Sequence, residues 1–273
     1  HAQILPVSIM SSTRPSFDDQ YGGRYILVEP GQFVMGDAHG RGPKTERPPT
    51  ETTISEPFFL GERPVTQAHW GSVMGDNPSK FQEGWSAGLR PVESVSWDDA
   101  HMFLAKLNEA EQGTTRLGFS GIWRLPSEAE WEFAARADTE SRWSFGDRDA
   151  ELNDYGWHAG NSGATTREVG QKKANPWGFL DLHGQTGEWC EDDYVPHYKE
   201  HSGVQKPHTT SHSSRKVHRG GSWFTESDST RSRARGSAFS NHRGDGVGLR
   251  LVWSPDAVTS QPQGGEPSVD PLP

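Results

Sequence analysis

Five histidines, His197, His201, His208, His212 and His218, fall in one polar stretch, and imidazole is the side chain most often used to hold a transition metal. His197 and His201 would share a face if the stretch were helical, but Pro196, Gly203 and Pro207 break such a helix; the other reading is a solvated loop. Just upstream, Glu191, Asp192 and Asp193 could be imagined as a general acid and base pair. Consecutive carboxylates in a loop read more simply as a solvated turn. Cys190 is the only cysteine of the chain, so no internal disulfide can form, and in Glu188-Trp189-Cys190 it reads as a small buried hydrophobe. No nucleophile elbow, phosphate loop, HExxH or dinucleotide fingerprint occurs.

Few regular elements are signed along the chain to position these groups. Tyr25-Ile26-Leu27-Val28 and Gln32-Phe33-Val34-Met35-Gly36 read as two short strands around a Pro30-Gly31 turn. A short helix is expected from Thr66 through Trp70 to Val73. Ser96 with Asp99 makes a capping box, and Ala100, Phe103, Leu104 and Leu107 follow at helical spacing. Ser127 with Glu130 makes a second box leading into a helix that reaches Arg136. Beyond it, Gly, Asn, Asp and Ser separate isolated aromatics, the pattern of short strands and long loops. The mixture predicts an α+β fold with a high irregular content.

The chain has 273 residues, enough to bury a sizeable core. Only 31% of them are apolar and the mean hydropathy is -0.82, a composition that borders on disorder. Eleven Trp and 12 Phe argue otherwise, because large rings can anchor a loop-rich chain. A formal charge of -10 with a pI near 5.6 argues against a general nucleic-acid binder, which needs a basic face. No window approaches the roughly 18 apolar residues of a membrane span. The start of the chain lacks a basic segment followed by an apolar run; a signal or lipid anchor removed before His1 would suit a cell-surface or periplasmic protein. Residues 1–21 read as a linker, 22–253 as one domain, and 254–273, rich in Pro, Ser, Gly and Gln, as a disordered tail.

Several segments, in order, carry a resemblance. They are Pro30 to Gly36, Arg63-Pro64-Val65-Thr66, Asn77 to Phe81, Pro91 to Trp97, Trp123 to Glu132, Gly178 to Trp189, Arg219-Gly220-Gly221-Ser222-Trp223 and Gly248-Leu249-Arg250. Together they resemble the formylglycine-generating enzyme and sulfatase-modifying-factor family over nearly the whole domain. The resemblance implies a loop-rich variant of the C-type lectin fold. Family enzymes that oxidise a substrate cysteine place a pair of copper-binding cysteines shortly after the Arg-Gly-Gly-Ser-aromatic motif; here the segment reads Phe224-Thr225-Glu226-Ser227-Asp228-Ser229-Thr230. Hydroxyls cannot replace soft thiolates on copper(I), so no copper and no such catalysis are expected.

The resemblance also implies a structural calcium site at Asp181, Gly184, Thr186 and Glu188, where side-chain oxygens and backbone carbonyls share one glycine-containing loop; the other reading is that Asp181 caps a turn and Glu188 pairs with an arginine. Arg231, Arg235, Arg243 and Arg250 keep the family framework, tying loops down by forked hydrogen bonds to carbonyls. Between them, Trp223, Phe224, Thr225, Ser227, Asp228, Ser229, Gly236, Ala238, Phe239, Asn241, His242 and Asp245 supply aromatic area and adaptable polar groups. That stretch resembles the variable region of diversity-generating-retroelement proteins, which display changeable residues on this fold. The function so implied is non-enzymatic binding of a protein or cell-surface ligand. The alternative is a periplasmic cysteine-free oxidase of the same family acting in siderophore maturation.

Overall fold

The computed structural model describes residues 14–40 and 42–256. Its helices stand where local chemistry signs them. Helix α1 is Gln67–Met74, with the Thr66 hydroxyl accepting from the His69 amide. Helices α2, Trp97–Ala110, and α3, Glu128–Arg136, both open on complete capping boxes, at Ser96/Asp99 and Ser127/Glu130. Each box satisfies two of the orphan amides of a first turn.

The strands are β1 Ser16–Asp18, β2 Arg24–Val28, β3 Gly31–Met35, β4 Thr50–Ile54, β5 Phe58–Gly61 and β6 Gly121–Arg124. They continue with β7 Gly187–Asp193, β8 Arg215–Arg219, β9 Arg235–Phe239, β10 Val247–Gly248 and β11 Val252–Pro255. A five-stranded sheet runs β1-β2-β5-β11-β6 and a four-stranded one β10-β7-β8-β9. The strands flanking the Pro30-Gly31 turn are both present, but they do not form a hairpin: β2 pairs with β1 and β5, whereas β3 pairs with β4.

Successive side chains of a strand point to opposite faces, and the larger sheet is buried on both. Ile26, Val28, Phe58, Leu60 and Val252 enter one core with α3, while Tyr25, Phe59 and Trp253 enter a second with α2. The segment expected to be a linker is therefore partly structural. Phe17 on β1 lies 5.2 Å, ring to ring, from both Tyr25 and Phe59 and 5.5 Å from Trp253. At the other end β11 carries the domain through Pro255; the tail expected beyond it falls, from residue 257, outside the described residues. Aromatic anchors fill these cores, with Trp131, Trp189 and Trp253 fully buried.

Candidate functional site

The segment after β8 is organised by arginines whose partners lie far away in sequence. Arg231 forks onto Glu46 at 2.8 and 2.9 Å. Arg235 forks onto Glu128 at 2.6 and 2.8 Å and also donates to the carbonyls of Thr45 and Val195. Arg243 forks onto Asp99 at 2.6 and 2.7 Å. Arg250 forks onto Glu188 at 2.9 and 2.8 Å and donates to the carbonyls of Gly61, Glu62 and Leu180. The forks thus go chiefly to carboxylates, where carbonyls were expected. Both partners of the Arg231, Arg235 and Arg250 pairs are buried. Burial alone would raise the Glu128 carboxyl, but Arg235 and Arg219 outweigh it and hold the group down at about 2.

Between these anchors the twelve contact positions separate into groups. Trp223 and Phe224 meet edge to face at 4.9 Å, and Trp223 packs at 5.2 Å against Phe81. The Trp223 indole N–H donates to the Asp245 carbonyl at 2.9 Å, and the Asp245 carboxylate accepts from Lys80. Phe224 remains 52% exposed and Phe239, on β9, 53% exposed with the Arg215 guanidinium 5.1 Å from its ring. Asn241 and His242 are exposed on the turn that follows. Ser227, Asp228 and Ser229 form part of a short 3-10 turn, Ser227–Thr230, at the edge of a cavity of about 700 Å³ lined also by Arg142, Arg231 and Arg233.

Three of the twelve serve the scaffold. The Thr225 hydroxyl closes a turn by accepting from the Ser222 amide at 2.9 Å. Ala238 packs against the second core. A Cβ at Gly236 would overlap the His218 ring. Sequence reasoning counted Lys80 and Phe81 only within the Asn77 to Phe81 family segment and not among the contacts; they join the Trp223 cluster from a loop more than a hundred residues upstream.

The loop expected to hold calcium is tightly bent, with Asp181, Gly184 and Gln185 all at positive φ. Asp181 Oδ2 accepts from the Gly170 amide at 2.7 Å, while its Oδ1 and the Thr186 hydroxyl are buried without a hydrogen-bond partner. Burial pushes the Asp181 carboxyl up to about 6. Each is an unpartnered oxygen of the kind a hard cation takes. Glu188 does not join them: both of its oxygens accept from Arg250, and one also accepts from the Trp131 indole at 2.6 Å. A guanidinium at that distance repels a metal cation, so the pairing reading holds for Glu188.

The carboxylates after Cys190 are not a solvated turn. Asp192 and Asp193 are 1% and 8% exposed on β7, because the loop carrying His208 and Thr210 donates backbone N–H groups to them. The five histidines disperse: His218 lies on β8, His212 is exposed, and His197, His201 and His208 turn inward. Cys190 is fully buried, and burial pushes its thiol far up. It offers no accessible thiolate.

A family model described as the sulfatase-modifying factor enzyme 1-like domain matches residues 12–255. "Chaperone protein LppX" of Paenibacillus barcinonensis is 28% identical over 92% of this chain and 96% of its own. Among solved structures, Treponema denticola variable protein 1 superposes with a TM-score of 0.79 at 28% identity, covering 88% of this chain and 99% of the other. PvdO from Pseudomonas aeruginosa shares the fold, with a TM-score of 0.78 at 21% identity over 89% of this chain and 99% of its own.

Proposed function

The chain belongs to the sulfatase-modifying factor enzyme 1-like family, in the branch that resembles variable proteins, and from that premise we propose that it is a noncatalytic display protein binding a protein or cell-surface ligand. The observation that carries the reading is the separation of labour along residues 219–250. The buried arginines are committed to carboxylates, while Phe224 and Phe239 each leave half their surface open between them. Half-exposed rings on a rigid scaffold are what a recognition surface needs, since they give contact area at little entropic cost. The contact set comprises Trp223, Phe224, Ser227, Asp228, Ser229, Phe239, Asn241, His242 and Asp245, joined by Lys80 and Phe81. Likeness to a protein named as a chaperone supports binding of a protein ligand. Calcium stays in the proposal on the oxygens of Asp181 and Thr186, with Glu188 outside its shell.

Sequencing the source genome tests the reading. A neighbouring reverse transcriptase, with a near-identical template copy of the codons for Trp223 to Arg250 differing at adenines, is the expected result. Absence of any such template overturns the variable-display assignment.

A further inference from the structure

Beside the Ser227–Thr230 turn, two cavities of about 700 and 200 Å³ share His39, Glu140 and Arg233 in their walls. The larger is polar and is the one that Asp228 borders. Phe33, Val34 and Phe133 give the smaller an apolar patch, so the pair forms one cleft with two chambers of different character.

Arg233, in the shared wall, has a side chain only 6% exposed. Its Nε donates to Glu46 at 3.2 Å and lies 3.7 Å from Asp37. The two terminal nitrogens, which carry all of its N–H donors but one, make no hydrogen bond among the described residues. Donors on a nearly buried guanidinium are costly to leave unused, and their fork matches a carboxylate. Arg136, on the smaller chamber, likewise uses only Nε and Nη2, on Glu132 and the Gly36 carbonyl, and leaves Nη1 free among the described residues.

Charge balance selects the anion. Arg47, Arg231 and Arg233 surround two buried carboxylates, Asp37 and Glu46, which leaves one guanidinium in excess. Asp228, the other partner of Arg231, is 67% exposed and shared with Arg142, so solvent screens it. One unmatched positive charge suits a monocarboxylate, whereas a phosphate group, with nearly two negative charges, overshoots it. The apolar patch in the adjoining chamber has room for one aliphatic or aromatic side chain.

We propose that this cleft binds an apolar residue carrying a free α-carboxylate, as a free amino acid or as the last residue of a peptide. The terminal nitrogens of Arg233 hold the carboxylate, and Phe33, Val34 and Phe133 hold the side chain. The larger chamber takes what is bonded to the α-carbon's nitrogen: further peptide, or an ammonium neutralised by Glu140 of the shared wall. The cleft has only Asp228 in common with the display contacts, so its failure leaves the display reading standing.

The test titrates the full chain, by calorimetry, with leucine, phenylalanine, acetyl-Gly-Gly-Leu and the C-terminal amide of each. Saturable binding of at least one acid is expected, at least tenfold tighter than that of its amide. Arg233→Lys, which keeps the charge but loses the fork, and Val34→Glu, which puts a carboxylate in the apolar patch, should each weaken it at least tenfold. Met102→Ala, 52% exposed on α2, should leave it unchanged. Leucine binding weakened by Glu140→Gln identifies the free amino acid, and acetyl-Gly-Gly-Leu binding indifferent to Glu140→Gln identifies the peptide end; both outcomes support the proposal. No saturable binding, amides bound as well as the acids, or binding that survives Val34→Glu overturns it. Should Arg233→Lys fail to fold, Val34→Glu decides, because a side chain 41% exposed on β3 tolerates exchange.

Discussion

Replacing Arg250 with leucine isolates the claim that buried arginine–carboxylate forks hold this domain together. Arg250 and Glu188 have side-chain exposures of 0% and 1%, so the substitution leaves Glu188 as an unmatched charge inside the protein. Breaking such a pair costs about 3–5 kcal/mol. Loss of the donations to the Gly61, Glu62 and Leu180 carbonyls adds roughly 1 kcal/mol each at most. For a domain of this size, about 2–4 °C of melting temperature go with each kcal/mol, so a fall on the order of 10 °C or more is expected. Converting Glu188 to glutamine as well removes the stranded charge while keeping an acceptor for the Trp131 indole. The double variant should therefore be more stable than Arg250→Leu alone, with a coupling of about 3 kcal/mol in a double-mutant cycle. Urea unfolding followed by tryptophan fluorescence measures all four proteins. A coupling below roughly 1 kcal/mol would refute the reasoning. So would calcium restoring Arg250→Leu to wild-type stability, since Glu188 would then be a metal ligand released by the loss of its guanidinium.

Phe224→Ala should lower stability by only about 1.5–2.5 kcal/mol, half the usual cost of a buried phenylalanine, while ligand binding falls at least tenfold; a melting temperature as low as that of Arg250→Leu would mark Phe224 as core. Gly236→Asn, which forces a Cβ into the His218 ring, should cost about 1–3 kcal/mol by overpacking, whereas His242→Asn on the exposed turn should stay within about 0.5 kcal/mol; equal effects would sink that distinction. His183, held neutral because burial pushes it down to about 4 against the bond from its ring to the Thr230 carbonyl, contributes stability in full above pH 6.5. That contribution is lost as pH falls from about 6.5 toward 4, by up to about 3 kcal/mol; a His183 ring titrating above pH 6 by NMR contradicts it. Cys190 should resist a thiol reagent at pH 8 in the native protein and react only with unfolding, and prompt labelling would show that the buried position is wrong.

Helices α2 and α3 were legible because Ser96/Asp99 and Ser127/Glu130 state their starts within four residues. Strand partners were not, because nothing local to β2 says that Phe58–Gly61, rather than the adjacent β3, lies beside it. Strand β1 was hidden for a simpler reason, since three residues cannot display a period. The twelve contact positions were found by type, and type alone could not tell the open Phe224 from Thr225, whose hydroxyl is spent on its own turn. Asp192 was misread because a run of carboxylates looks wet until one sees the backbone amides, one from His208 sixteen residues on and one from Glu128 at the start of α3, that make its burial possible.

The arrangement explains how the segment after β8 can change its surface without losing its fold. Each anchoring arginine reaches out of the segment to Glu46, Glu128, Asp99 or Glu188, residues that belong to other elements. Positional information therefore lies outside the stretch that carries the contacts, and residues between anchors need only avoid collision. Where they would collide, as at Gly236, or are packed inward, as at Ala238, the scaffold takes the position back. The same logic fits the stretch where the family resemblance would place a pair of cysteines. Thr225 and Thr230 now close the turns on either side of Glu226–Ser229 by hydroxyl bonds to backbone groups at 2.8–3.1 Å, and Asp228 pairs with Arg142 and Arg231 at 2.9 Å, so hydrogen bonds and ion pairs hold the segment's shape. A stretch held in that way, with Asp228 and Ser229 facing outward, is free to take on recognition.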